Sequence, residues 1–518
     1  MSMSGSSYHF RTLVVHMRDS MLLFVIAITL TIIAVPTAFA ISQRRLTVGT
    51  QPQLFVDDAL ISEMSGAELI LHHPVPAEVA IKFDAPWEGD LSTFVTVMYD
   101  QGIYRMYYNG DDDSHEPVTC YAESKDGIHW VKLQLGLFAF NGSSKNNIIW
   151  MGNDQTLETR KISRYPTFNN TRPKNKQYWI LQNGDKVNVP ANFSPFRDTN
   201  PRAKSSEIYK AIGGMPPMAL GSPDGIHWHF LKDTRVMEGE DYDSMNTALY
   251  DPRIKRYVAY VRSNKYPGRA GIRSIVRRTS SDFLHWGSGT VIDEQGSPVE
   301  QLYTNAITPY FRLPAIFIGL PMRIVEERKA VQDARFGGIT DAVFMSSRDG
   351  IHFNRQFLDA FIRPGTDIEN WMHGSIMPAK GIVPTGPDEI SIYYTEHFGY
   401  STNRLRRATL RTDGFVSVHA SYMVGSMTTK TFVFTGSNLV INASTSVAGS
   451  IRVEVIDVSV EPQKANSLLQ SKPFYGDAID HTVLWTGSGV NLGALAGRPI
   501  RLKFVLRDAD LYSFHFEQ

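Results

Sequence analysis

Short apolar runs with a period of two recur along most of this chain. Glu389-Ile390-Ser391-Ile392-Tyr393-Tyr394 alternates cleanly, and Tyr104–Tyr108 and Tyr257–Val261 are aromatic and β-branched. Such runs predict strands rather than helices. Between them one polar phrase returns. Ser124-Lys125-Asp126-Gly127-Ile128-His129-Trp130 recurs as Ser222-Pro223-Asp224-Gly225-Ile226-His227-Trp228 and as Ser347-Arg348-Asp349-Gly350-Ile351-His352-Phe353. Ser281-Asp282-Phe283-Leu284-His285-Trp286 is a copy without the glycine, and Thr412-Asp413-Gly414-Phe415 is a weak fifth. An Asp-Gly step between strands reads as a tight turn, because glycine takes φ > 0 without a Cβ clash. From Asp224 the aspartates follow at gaps of 58, 67 and 64 residues, whereas Asp126 to Asp224 is 98. The longer gap requires an insertion, placed at about residues 140–207, with a strand near Tyr178–Leu181.

Repeats of this period predict an all-β chain: a five-bladed β-propeller of four-stranded sheets over residues 51–420. After Ala420 the phrase stops. Alternating runs at Thr431–Phe434, Asn438–Ile441, Ile451–Val455 and Leu502–Val505 predict a C-terminal β-sandwich over 421–518. Leu54-Phe55-Val56 and Leu69-Ile70-Leu71 read as N-terminal strands, which in a propeller close the ring and remove a free sheet edge.

Residues 1–40 read as a signal peptide. Arg11, His16 and Arg18 precede an apolar run from Met21 to Val35, and Ala38-Phe39-Ala40 fits a cleavage site. The expectation is export to the periplasm or outside the cell without stable membrane insertion. A retained N-terminal anchor is the alternative. The single cysteine, Cys120, allows no intrachain disulfide and reads as a buried small hydrophobe. Balanced charge, with 52 basic and 52 acidic residues, gives no reason to expect a nucleic-acid partner.

The chemistry follows from propeller geometry. Acids recur just before the expected first strands of successive blades: Glu88 and Asp90, then Asp198, then Glu240, Asp241 and Asp243, then Glu300. Carboxylates converging on one funnel suit glycoside hydrolysis, where one acts as nucleophile or base and another as proton donor. Trp87, Tyr303 and Trp371 are placed to stack on a sugar, with His373 and Glu396 nearby on the fifth blade. The histidines of the repeated phrase, His129, His227, His285 and His352, read as turn-packing residues.

The blades, the turn phrase and the C-terminal sandwich together resemble the five-bladed-propeller glycoside hydrolases of family 32, family 43 and their relatives. The whole chain also resembles exported family-32-like proteins of planctomycete-type bacteria. Phe196-Arg197-Asp198 is similar to the Arg-Asp motif of family 32, which assigns Asp198 to transition-state stabilisation and Arg197 to its support. The resemblance puts the first-blade acid at Glu88 or Asp90 and the proton donor at Asp243 or Glu240. It implies catalysis by Glu88, Asp198 and Asp243, with Trp87, Asp90, Arg197, Glu240, Glu300, Tyr303, Trp371, His373 and Glu396 binding substrate. The Asn-Asp-Pro-Asn-Gly and Glu-Cys motifs of family 32 are absent, so a fructan substrate is not implied. No cofactor is required, and a structural Ca²⁺ in the central channel is an open expectation. The runner-up is a carbohydrate-binding propeller without catalysis, and a polysaccharide lyase using His373, Tyr303 or His397 stands behind it.

Overall fold

Two-residue hairpins show how the sequence sets the strands. Thr93–Asp100 pairs antiparallel with Ile103–Gly110, with Asp100 opposite Ile103. Gln101 (φ 52°) and Gly102 (φ 81°) are thus the whole loop, and two positive φ values match the twist of the flanking strands. The computed structural model describes residues 46–518 except 113, 116, 152–162, 167–176, 181–185, 188–190, 233, 459–466 and 488–490, and only the backbone of the three short strands within 163–187. The expected signal segment lies outside the described residues. The described residues are all-β but for short 3₁₀ turns such as Ser205–Glu207, Ile368–Asn370 and Leu492–Leu495. Among them no helix is long and apolar enough to cross a membrane.

The repeated phrase is one hydrogen-bonded object. Ser124 Oγ accepts from the Gly127 N–H at 2.9 Å, and Asp126 Oδ1 accepts from the N–H groups of Ile128 and His129, both at 2.8 Å. His129 Nδ1 lies 2.8 Å from the other Asp126 oxygen, and Trp130 donates its indole N–H to the Gly127 carbonyl. The same bonds recur at Ser222–Trp228 and Ser280–Trp286. At Ser347–His352 the Ser, Asp and His bonds recur. The third copy starts at Ser280 and puts Phe283, at φ 70°, where the others have glycine. The fifth differs: Asp413 accepts from Tyr310 and from Ser513.

Antiparallel sheets follow one another in the chain. The first comprises 93–100, 103–110 and 118–124, with 131–132 and 148–150 on its outer strand; the second comprises 194–197, 209–213, 218–222 and 229–230. The third is 247–251, 256–266, 269–280 and 290–291. Two three-stranded sheets come next: 301–302, 322–325 and 339–342, and 308–310, 313–319 and 345–347. The last holds 377–378 and 383–384 against 389–396, then 404–411, then 75–82. The insertion contributes a small sheet whose middle strand, Gln177–Ile180, falls where a strand was expected.

Each sheet reaches the turn phrase of its neighbour. Tyr393 donates to the Gly127 carbonyl, Arg105 to the Asp224 carbonyl (3.0 Å) and Tyr260 to the Gly350 carbonyl (2.9 Å). Tyr310 donates to Asp413 (2.8 Å), and Phe196 meets Phe283 edge-on at 5.6 Å. Apolar clusters fill the same junctions: Tyr107, Phe193 and Trp228 between the first and second sheets, and Ile81, Met106, Cys120 and Tyr393 between the last and first. Cys120 is fully buried there, and burial pushes its thiol up.

The remaining strands make an 11-stranded sheet from both ends of the chain. Asn438–Asp457 and Ile500–Glu517 are its longest pair, and Phe432, Phe434, Phe504, Phe514 and Phe516 fill its core. Residues 46–71 join this sheet, with Gln53–Leu54 on the 500–517 strand and Glu68–Leu71 on Val416–Ala420. The ring-closing strand expected at 51–71 is instead Val75–Lys82, which pairs with Arg404–Arg411. Phe55, Leu60 and Ile61 pack into the core of the C-terminal strands, while Leu54, Val56 and Leu71 pack against the 308–347 and 389–411 sheets; 75–82 is a largely exposed edge. Residues 45–518 form one compact unit.

Candidate functional site

The first strands of the sheets define two ends. Asp90 precedes 93–100 and Asp243 precedes 247–251; Asp100 ends its strand and Asp198 follows 194–197. Arg197 lies 3.3 Å from Asp100, which brings the finishing ends of the first two sheets together. Lys380 fixes the level between the ends, because its ammonium donates to the carbonyls of Pro195 (3.0 Å) and Ala248 (3.1 Å). Asp198 lies beyond Pro195 and Asp243 lies before Ala248 in their strands, so the two acids sit at opposite ends. Sharing of one funnel by Asp198 and Asp243 does not hold.

Asp198 is enclosed and paired. It is 3% exposed, 2.9 Å from Lys210 Nζ, and accepts from Tyr257 Oη (2.7 Å) and the Asn200 N–H (2.8 Å). Glu88 is 2% exposed, with Lys132 at 2.6 Å, Tyr108 donating at 2.7 Å and the Ala85 N–H at 3.0 Å. Trp87 beside it donates to Asn147 and packs edge-on against Phe140. Three further expected contacts are structural ion pairs. Glu300 meets Arg323 (2.9 Å) and the fully buried Arg355, Glu396 meets Arg404 (2.7 Å) and Arg406 (2.9 Å), and Glu240 meets Arg278 (3.1 Å) and Ser263 Oγ (2.5 Å). These acids precede or end strands as the sequence implied, but a guanidinium or ammonium already satisfies each. His397 is likewise held, between Asp367 (2.9 Å) and Glu369 (2.8 Å).

What does come together is the end where the first strands begin. Asp90 pairs with Arg335 at 2.6 Å. Phe336, next in sequence, lies 6.2 Å from His373 and 5.6 Å from Phe398. His373 meets Tyr303 edge-on at 5.4 Å. The Tyr303 ring is flanked by Arg262 at 4.8 Å and Arg273 at 5.7 Å. Arg262 closes the series on Asp241 (3.2 Å) and Asp243 (3.7 Å), and Arg273 pairs with Glu326. Asp243 keeps 55% of its side chain in solvent. Burial, with help from Arg273 and Arg262, pushes the His373 imidazole down to about 4, so it is neutral at pH 7. Burial pushes the Tyr303 phenol up. Arg262, Arg273, Arg335 and Phe336 were not singled out in the sequence. The available signal was the polar step Arg262-Ser263-Asn264 that follows the apolar run Tyr257–Val261.

Trp371 lies two residues from His373. Its indole N–H is tied to the Gly365 carbonyl at 2.8 Å, and 37% of the residue stays exposed.

On the axis, Lys380 is buried with its ammonium over the Phe196 ring at 5.6 Å. Burial alone pushes it down to about 7. Among the described residues no cluster of His, Cys, Asp or Glu is arranged to hold a metal. A buried ammonium at the centre repels a dication, so these residues do not fit the axial Ca²⁺ entertained from the sequence.

No protein-family model matches the chain, and no curated protein sequence matches it. Among solved structures it is similar to the catalytic domain of a Coprinopsis cinerea GH62 α-L-arabinofuranosidase, at 9% identity and a TM-score of 0.39, covering 66% of this chain and 98% of that one. A glycosyl hydrolase from Bacteroides ovatus matches at 13% identity and 0.36, over 70% and 93%. At these identities and scores the likenesses carry no argument about the site.

Proposed function

We propose that the chain is a carbohydrate-active protein of the glycoside hydrolase type, working where the first strands begin. The observation that carries this reading is the continuous series Asp90, Arg335, Phe336, His373, Tyr303, Arg262, Asp243. It links carboxylates from two sheets across aromatic and cationic groups on one face. Hydrolysis of a glycosidic bond needs two carboxylates about 5–10 Å apart on either side of it, and Asp90 and Asp243 are the pair this face offers. Asp243 is the exposed member and takes the proton-donor role. Asp90, adjacent to the enclosed Glu88, takes the partner role, its charge held by Arg335. Glu88 and Asp198 serve the framework instead.

In the same reading the sheets are five blades of a propeller. The two three-stranded sheets, whose strands 313–319 and 322–325 are consecutive, form one blade, and the terminal 11-stranded sheet is an appended sandwich-like domain. Five junctions, each with one sheet reaching its neighbour's turn, support the count. No cofactor is required. Residues 1–40 serve export, with Ile41 as the first residue of the mature chain.

One observation favours a binding role without cleavage: each acid of this face has a guanidinium partner. A screen of the purified protein against plant and algal polysaccharides, with reducing ends measured, separates the two. Release abolished by Asp243→Asn supports hydrolysis; tight binding without release supports the alternative.

A further inference from the structure

Beside the acid-and-aromatic face, and apart from it, lies a cavity of about 330 Å³ lined by Val325, Ile339, Ala360, Pro364 and Trp371 with Arg328 and Arg363. That volume is at the lower end of small-ligand sites. Three features point to one kind of occupant.

The first is a fixed aromatic plane. The Trp371 N–H bond to Gly365 pins the indole, so its exposed area is presented at little entropic cost. Apolar Val325, Ile339, Ala360 and Pro364 share the lining, which suits the C–H face of a pyranose ring. The second is charge. Arg328 and Arg363 are exposed, and their guanidiniums have no hydrogen-bond or ion-pair partner among the described residues. The one acid of the lining, Asp341, is already held by the Arg323 fork at 2.9 and 2.6 Å. The cavity therefore carries two unpaired guanidiniums and no free carboxylate, the reverse of the neighbouring face, where every guanidinium named above has an acid. Guanidiniums bind planar oxyanions bidentately. The third is position. Thr340, also in the lining, donates to the Ser375 carbonyl (2.5 Å) and lies 3.1 Å from the Met372 carbonyl, on either side of His373. A chain lying across the face thus has its next ring within reach of Trp371.

We propose that this cavity is a subsite for an acidic sugar: a pyranose stacked on Trp371, its carboxylate or sulfate oxygens held by Arg328 and Arg363. The inference rests on the carbohydrate reading above and names its substrate class. The shared chemistry is an oxyanion on a sugar ring, and the two sources are a uronate and a sulfate ester.

Titration calorimetry and tryptophan fluorescence with three probes of equal length separate these: trigalacturonate, a sulfated galactotriose and neutral galactotriose. One acidic probe binds the parent at least about tenfold more tightly than the neutral one, and affinity falls with added salt. Trp371→Ala and Arg363→Ala each weaken that probe by about tenfold or more. Arg363→Lys restores only part, because a point charge replaces a fork. Thermal unfolding of the variants shows that they fold. Equal binding of neutral and acidic probes, no binding of any probe, or unchanged affinity in folded variants overturns the subsite. The outcome is separable from that of the hydrolase reading. A bound acidic probe without reducing-end release leaves the subsite standing and removes hydrolysis. Release from any glycan that is indifferent to Trp371→Ala and Arg363→Ala removes the subsite alone.

Discussion

Replacing Lys380 by methionine tests the packing of the axis. The side chain is of similar length, but the variant lacks the charge and the two bonds to Pro195 and Ala248. In the parent, burial lowers the amine from 10.5 to about 7. At about 1.36 kcal/mol per pH unit, keeping it charged in the fold costs about 5 kcal/mol. The folded value lies below the unfolded one, so between pH 7 and 10.5 the unfolded chain holds the proton that the folded chain has released. The parent therefore gains stability with rising pH across that window and is flat below it. The variant has no such gain, and its two lost hydrogen bonds cost about 1 kcal/mol each. Lys380→Met should thus be about 2 kcal/mol more stable than the parent near pH 7 and about 1 kcal/mol less stable near pH 10. Urea unfolding of both proteins at pH 7, 8, 9 and 10 reads this directly, since all other titrating groups cancel in the difference. A difference that stays constant with pH would refute the reasoning, because it would mean that the ammonium is hydrated or paired.

Three further outcomes follow from the same geometry. Glu88→Gln and Asp198→Asn each remove the nearer carboxylate of an ammonium, leaving Lys132 with Asp84 and Lys210 with Glu207, and should lower stability by about 2 kcal/mol in thermal or denaturant unfolding; unchanged stability with lost turnover would return these acids to the chemistry. Gly350→Ala puts a Cβ 2.6 Å from the Tyr260 hydroxyl at φ +75° and should cost about 2–3 kcal/mol, whereas Gly142→Ala, at φ +82° in open space, should cost about 1. His352 should titrate above its ordinary value in NMR, raised by its bond to Asp349. Although burial pushes the Asp349 carboxyl up, bonds from His352 and Ile351 outweigh it and hold it at about 2, and Asp349→Ala should lower the His352 value toward normal, with Asp293 left to raise it.

The turns were legible because their chemistry is local. Ser, Asp, Gly, His and Trp satisfy one another within seven residues, so the phrase specifies its own geometry wherever it recurs. All-β character was legible from the alternation at residues such as Ile390–Tyr394. The ends of strands were not. Arg197-Asp198 was placed before a first strand, but 194–197 is that strand, and a shift of four residues moved the acid to the far end. Glu88 has the position of a site acid and only its distant partner Lys132 reveals a framework role. Lys380, between Ala379 and Gly381, was not singled out in the sequence. Gly381 allows the close pass, since a Cβ there would fall on the Val97 carbonyl, and that approach carries the lysine to the axis. The two arginines flanking Tyr303 belong to one hairpin, 256–266 with 269–280, and it is Tyr303 that reaches them only in the fold.

The central claim, hydrolysis at the end where the first strands begin, is met most directly by one measurement: reducing ends released from a panel of acidic and neutral plant and algal polysaccharides by the parent, Asp243→Asn and Asp90→Asn, with folding checked in each. The parent should release reducing ends, and Asp243→Asn and Asp90→Asn should each lose a hundredfold or so in turnover with glycan binding retained. A parent that cleaves while both variants keep full turnover would contradict it.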